Sequence, residues 1–278
     1  MLFEFLKFII YSGLIVLISK FVLVTTLRKL AESMQLKSKT VGNIAGIATS
    51  IPELLTVTIS SANGLFSATI FNVLSSNIIN FIQYIFAILS NKNTKSIKNK
   101  AIIIDILLVI TTIIIPLLIV ILKIDINILS IPIFLILYIL FIVINNKSHK
   151  KYLKKENIEL EKNDKEKNNK NGKRITIYII TILIVGLLLY IIGEMLGKVL
   201  ENLSNVFNIS QMIIGILLGF ITSIPELITF FESQKHHKNK ENDILGVIEA
   251  TNNLLSSNTL NLFIIQSIGI LIYKIFTY

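Results

Sequence analysis

Two glutamates, Glu53 and Glu226, sit in the same short setting. The hexapeptide Thr-Ser-Ile-Pro-Glu-Leu occurs at 49–54 and again at 222–227, each time inside a long apolar segment. Carboxylates are expensive in hydrocarbon, and at such positions they read first as functional groups. Pro52 and Pro225 have no N–H to donate and crowd the carbonyls of Ala48 and Ile221, so each loosens a helical turn beside its glutamate. The hydroxyls of Thr49, Ser50, Thr222 and Ser223 fall within that turn. Freed carbonyls, hydroxyls and two carboxylates make an all-oxygen set, the kind that suits hard cations such as calcium. One divalent or two monovalent cations balance two ionised glutamates. Without a cation, like charges remain in a low dielectric, so protons compete for the site and acid inhibits.

A second block follows each hexapeptide. Asn72, Ser76 and Asn80 recur at intervals of four and share one helix face, and Asn253, Ser257 and Asn261 repeat the pattern. Their oxygens either extend the cation site, Asn80 and Asn261 included, or serve helix–helix hydrogen bonding. Asn77 and Asn258 lie off that face and are expected to tie the loosened turns of the proline-bearing helices. The blocks keep their order within 41–83 and 210–266, so the chain carries an internal repeat, with a longer polar insert in the second copy.

The elements that must position these groups are membrane helices. The 278 residues are 53% hydrophobic, and mean hydropathy is +0.73. Several apolar stretches exceed the ~18–20 residues needed to cross a bilayer. Spans are predicted near 5–27, 41–62, 66–89, 101–122, 126–145, 174–197, 208–232 and 244–277. The pattern gives an all-α integral membrane protein of about eight spans, and the absence of strand-like alternation argues against a barrel. The first segment reads as a span, not a cleaved signal. Cysteine is absent, which removes disulfides and thiolate metal sites.

The net charge of +10 does not point to nucleic acid, because the basic residues gather in four connections: 28–40, 91–100, 146–174 and 235–242. With alternating spans all four lie on one side, which the positive-inside rule makes cytoplasmic, with the N-terminus outside. The organisation is then a first membrane half at 1–145, a basic cytoplasmic loop at 146–173, read as a solvated linker, and a second half at 174–278. His149, His236 and His237 are placed in solvated loops without a role. Asp105 and Glu249 are read as acids without a role near the cytoplasmic ends of their helices, with Glu249 one turn before the polar face of span eight. Lys20 is expected to snorkel to the surface. The two hexapeptides lie on spans two and seven, with four spans between them, so they run in opposite directions, related by a two-fold axis in the membrane plane, with Glu53 and Glu226 facing across it. That is the layout of a secondary transporter. An intramembrane hydrolase using the same carboxylates as acid and base is the less fitting alternative.

These blocks resemble those of the cation/calcium antiporters, which include the sodium/calcium exchangers. The resemblance rests on Thr49 to Glu53 and Thr222 to Glu226 for one family block, and on Ser76 to Asn80 and Ser257 to Asn261 for the other. It implies antiport of Ca2+, or a similar divalent cation, against Na+ or H+ by alternating access, with no cofactor and no enzymatic role. By resemblance the ion ligands are Glu53, Glu226, Thr49, Ser50, Thr222, Ser223, Ser76 and Ser257, with Gly46 and Gly219 as carbonyl donors. Glu53, Glu226, Thr49 and Thr222 stand closest to the metal, Pro52 and Pro225 break the helices, and spans one and six slide. The chain departs from the family pattern in three ways. Ala48, Ile221, Ser75 and Ser256 stand where the blocks have glycine. Asparagine occupies both 80 and 261, where many members have an aspartate at one. The family's usual five-plus-five spans become five plus three, so a second copy or a partner protein is expected to cover spans seven and eight. A degenerate, non-transporting or partner-dependent relative is the alternative. The lean chain suggests a prokaryotic plasma membrane.

Overall fold

The computed structural model describes residues 2–26, 29–30, 38–155, 171–237 and 243–277. Among the described residues eight helices are long and apolar enough to cross a membrane: Leu2–Leu23, Ser38–Ala62, Phe66–Ser90, Lys100–Ile121, Ser130–Tyr152, Ile175–Val206, Gln211–Lys235 and Ile244–Thr277. They are spans one to eight below. No strand occurs among the described residues.

Two differences from the predicted spans have clear causes. The helix of span five continues to Lys155, ten residues into the segment read as a loop, because Asn145, Ser148 and His149 are buried there and hold it. Span six continues past 197, since Leu196, Val199, Leu200 and Leu203 pack in one cluster with Phe8 and Ile15 of span one. The backbone of His236 and His237 closes the helix Ile224–His237. Arg28, Lys37, residues 156–170 of the polar loop and residues 238–242 lie outside the described residues.

Spans two and seven are each broken at one residue. Span two consists of Ser38–Thr49 and Ile51–Ala62, and span seven of Gln211–Thr222 and Ile224–His237. The interruptions fall at Ser50 and Ser223, two residues before each proline, as a missing N–H and a crowding ring require. Span two turns into span three through Gly64, at φ +74°. There Leu65 N donates to Ser60 O at 2.8 Å and Gly64 N to Ser61 O at 3.1 Å, a helix end that favours glycine in the left-handed region.

Glycine sets the closest helix crossings. A Cβ on Gly42 would lie 2.3 Å from Glu249 O, and one on Gly46 would lie 2.6 Å from Asn253 O. A Cβ on Gly215 would lie 2.4 Å from Ala68 O, and one on Gly219 would lie 2.7 Å from Asn72 O. Small residues let backbones approach in this way. Residue numbers rise together in both pairs, so the first half of span two runs parallel to span eight, and the first half of span seven runs parallel to span three. Spans two and three form an antiparallel hairpin. Spans two and seven are therefore antiparallel, and the two repeats are inverted.

Candidate cation site

Each break is closed by its own hydroxyls. Gly46 O accepts from Ser50 Oγ at 2.9 Å and Thr49 Oγ1 at 3.2 Å. Gly219 O accepts from Ser223 Oγ at 2.7 Å and Thr222 Oγ1 at 3.5 Å. The two glycine carbonyls expected to meet the ion are thus engaged by these hydroxyls. Pro52 and Pro225 open the half-helices that carry Glu53 and Glu226 in their first turns, where the helix dipole favours a negative charge.

Glu53 and Glu226 are both fully buried and face one another closely enough to interact electrostatically. The contacts cross the repeats: Thr222 lies against Glu53, and Thr49 against Glu226. Ser257 Oγ donates to Glu226 Oε1 at 3.1 Å and accepts from Ser50 Oγ at 3.0 Å. Neither oxygen of Glu53 has a hydrogen bond, nor does Glu226 Oε2. Lys20 supplies no counter-charge, since its Nζ lies over the Phe21 ring at 4.0 Å.

Spans three and eight line the same centre. Asn72 Nδ2 donates to Thr56 Oγ1 at 2.7 Å, and Asn253 Nδ2 to Thr229 Oγ1 at 2.6 Å. Asn80 Nδ2 reaches Ser257 Oγ at 3.4 Å, and Asn261 Nδ2 reaches Ser76 Oγ at 3.4 Å. All four asparagines therefore point their amide nitrogens at protein, while the Oδ1 atoms of Asn72, Asn80, Asn253 and Asn261 are buried without partners. The centre thus holds seven unpartnered carboxylate and amide oxygens, besides one glutamate oxygen that a hydroxyl holds. Buried polar atoms are ordinarily paired, and an unpaired buried carboxylate costs several kcal/mol. A cation is the missing partner that such a set of oxygens fits.

Asn77 and Asn258 do not tie the broken turns as expected. Asn77 Nδ2 donates to Asn258 O at 3.2 Å, and Asn258 Nδ2 donates to Asn77 O at 3.0 Å. They lock spans three and eight to each other on the pseudo-two-fold axis. The serines that replace family glycines also have partners: Ser75 Oγ donates to Asn72 O at 3.1 Å and Gly215 O at 3.5 Å, and Ser256 Oγ to Asn43 O at 3.2 Å. Thr56 and Thr229 were missed as site supports. Their signal was available, since each follows its glutamate by three residues in both copies.

The sequence matches the sodium/calcium exchanger protein family over residues 5–146 and 177–278. The chain belongs to that family. No curated protein matches it. Among solved structures it is similar to the sodium-calcium exchanger NCX_Mj soaked with 10 mM Na+ and zero Ca2+, with TM-score 0.55 and 23% identity over 98% of this chain and 84% of that one. NCX_Mj soaked with 10 mM Na+ and 10 mM Sr2+ gives TM-score 0.54 and 22% identity over 98% and 83%. At that identity the likeness concerns the fold. Family membership makes the protein a multi-pass cation-exchange transporter, and the paired glutamates lie at the interface of its inverted repeats.

Two acids expected to have no role, Asp105 and Glu249, sit near the starts of their helices but are buried and partnered. Asp105 is fully buried and bonded to Asn145 and His149, so His149 is not a loop residue. Glu249 is buried and accepts from Ser233 Oγ at 2.9 Å. The lysine-rich run 146–155 hid His149, because a charge run ordinarily reads as solvated.

Proposed function

We propose that this chain is a secondary antiporter that moves Ca2+, or a similar divalent cation, against Na+ or H+ by alternating access. The observation that carries the reading is Glu53, wholly buried with both oxygens unpartnered, opposite a second glutamate of the inverted repeat. Glu53, Glu226, Thr49 and Thr222 hold the divalent ion. Ser50, Ser223, Ser76, Ser257, Asn80 and Asn261 complete its shell, and Gly46 O and Gly219 O join when the hydroxyls now bound to them rotate away. NCX_Mj is described in terms of extracellular ion exchange and induced occlusion of its binding site. The same behaviour suits a site whose ligands come from four helices and must close around the ion.

Spans one and six are the moving pair. They pack on one another through Phe8, Ile15, Leu189 and Leu196, with few charged side chains to drag through lipid. The lysine-bearing connections face the cytoplasm, which places the N-terminus outside. Protons compete with the cation at the glutamates, so lowering pH weakens exchange.

The test is Ca2+ uptake into liposomes holding the purified protein, under an outward Na+ gradient and, separately, a proton gradient. Uptake driven by one gradient and lost in Glu53→Gln supports the reading and names the counter-ion. Cation binding without uptake under either gradient supports a non-transporting relative, the reading that the asparagines at 80 and 261 favour, since only two carboxylates then line the centre.

A further inference from the structure

At the lysine-bearing end of the bundle, three spans meet over a buried ionisable pair that the exchange site does not use. Asp105 of span four is 0% exposed and His149 of span five 5%. His149 Nε2 lies 2.6 Å from Asp105 Oδ2. Asn145, one turn before His149 on the same helix face, donates from Nδ2 to Asp105 Oδ1 at 2.8 Å and to Asn252 Oδ1 of span eight at 3.2 Å. Asn252 is anchored to Ile248 O at 2.8 Å and immediately precedes Asn253, whose amide holds Thr229 beside Glu226. The second imidazole nitrogen, Nδ1, is buried without a partner.

An ionised Asp105 beside a neutral imidazole gives this buried pair one net negative charge. A proton on Nδ1 removes that net charge, and Nδ1 is the nitrogen left open to take it. Imidazole is also the side chain whose charge ordinarily changes between about pH 5 and 8. We propose that Asp105 and His149 form a second proton-binding site, separate from the glutamates, whose occupancy tunes exchange through Asn145 and span eight. With the proton bound, the imidazolium draws on the carboxylate, so Asp105 holds the Asn145 amide less strongly. With the proton gone, the carboxylate holds that amide more strongly, at the expense of its bond to Asn252.

Other charged and titratable groups surround the pair. Lys39 of span two feels the charge of Asp105 and donates to Asn146 Oδ1 at 2.8 Å. Tyr84 of span three lies in the same field and shares a hydrogen bond with Thr251 at 2.7 Å. Glu249 of span eight accepts from Ser233. Lys98 precedes span four, Lys100 opens it with its Nζ 6.0 Å from the Tyr152 ring, and Lys150 and Lys151 follow His149. None of these is an imidazole.

The effect on exchange rests on the antiport reading above; proton binding does not, and the test separates the two. The chain has three histidines, so 15N-histidine NMR of the protein carrying His236→Gln and His237→Gln reads His149 alone. The expected result is a His149 signal that changes form between about pH 5 and 8, with a transition that Asp105→Asn displaces. Where Asp105→Asn does not fold, Asn145→Ala, which strips the amide from the same carboxylate, must move it instead. A His149 signal that keeps one form across that range, or a titration that neither variant moves, overturns the proton site. In proteoliposomes, His149→Gln should reduce the ratio of Ca2+ flux at high and low pH by about threefold. A profile identical to that of the unsubstituted protein overturns the tuning role. Absence of flux at every pH contradicts antiport and with it the tuning, while the NMR result still decides the proton site.

Discussion

The two repeats share their hydrogen bonds almost pair for pair, yet their glutamates are held differently. Asn72 to Thr56 has its counterpart in Asn253 to Thr229, and Asn80 to Ser257 in Asn261 to Ser76. The symmetry stops at the carboxylates. Glu226 accepts from Ser257, which in turn accepts from Ser50 of the other repeat, whereas Glu53 accepts no hydrogen bond. The helices differ as well. Span eight passes through a π-helical segment at Leu260–Ile265, which contains Asn261, while span three stays α-helical from Phe66 to Ser90 through Asn80. Single-turn π segments in α-helices gather at functional sites. Inverted repeats thus build one centre from equivalent parts and still give it two unlike ends. Glu53 is the open anchor, and Glu226 is the carboxylate already tied to a hydroxyl.

Removing the anchors should have the largest effect. Glu53→Gln is expected to lower divalent-cation affinity by at least about 100-fold, and Glu226→Gln somewhat less, since breaking a buried charge interaction costs about 3–5 kcal/mol. Isothermal titration with Ca2+ measures both, and an unchanged affinity in either variant breaks the comparison. Next come the glycine crossings. Gly42→Ala and Gly215→Ala place a Cβ 2.3 and 2.4 Å from the carbonyls of Glu249 and Ala68, so each should lose about 1–3 kcal/mol of stability. Similar drops in thermal midpoint sharpen the symmetry, and a drop in only one of them shows that one half alone bears the packing.

Ser257→Ala should weaken cation affinity about tenfold, because hydrogen bonds to charged groups contribute about 1.5–3 kcal/mol. Ser76→Ala should have a smaller effect, as Ser76 makes no such bond to Glu53. Equal losses would place the difference between the glutamates elsewhere. The smallest effect concerns coupling. Two carboxylates balance one divalent cation or two monovalent ones, so exchange should be insensitive to membrane potential. Asn80→Asp adds a third carboxylate and should make flux voltage-dependent, read as Ca2+ uptake under a valinomycin-set K+ potential.

Much of this was legible in the chain. The hexapeptides marked both breaks because proline acts locally, and the i, i+4, i+8 spacing of Asn72, Ser76 and Asn80 fixed a helix face whatever its neighbours. The inverted arrangement followed from counting spans. What escaped depended on partners far away in the chain. Asn77 and Asn258 bond to each other's backbone across the pseudo-two-fold axis, which no local pattern encodes. His149 sits in a run of lysines, and only the approach of Asp105 and Asn252 makes it a buried residue. The serines at 75 and 256 stand where the family has glycine, and only the fold shows their hydroxyls bonding to carbonyls on the facing half-helices.

The central claim is that the two inverted repeats build one shared cation site. Equilibrium 45Ca2+ binding to the purified protein tests it most directly. The account predicts one divalent ion per chain, abolished by Glu53→Gln and by Glu226→Gln alike. Two ions per chain, or a single ion that survives either substitution, would contradict it.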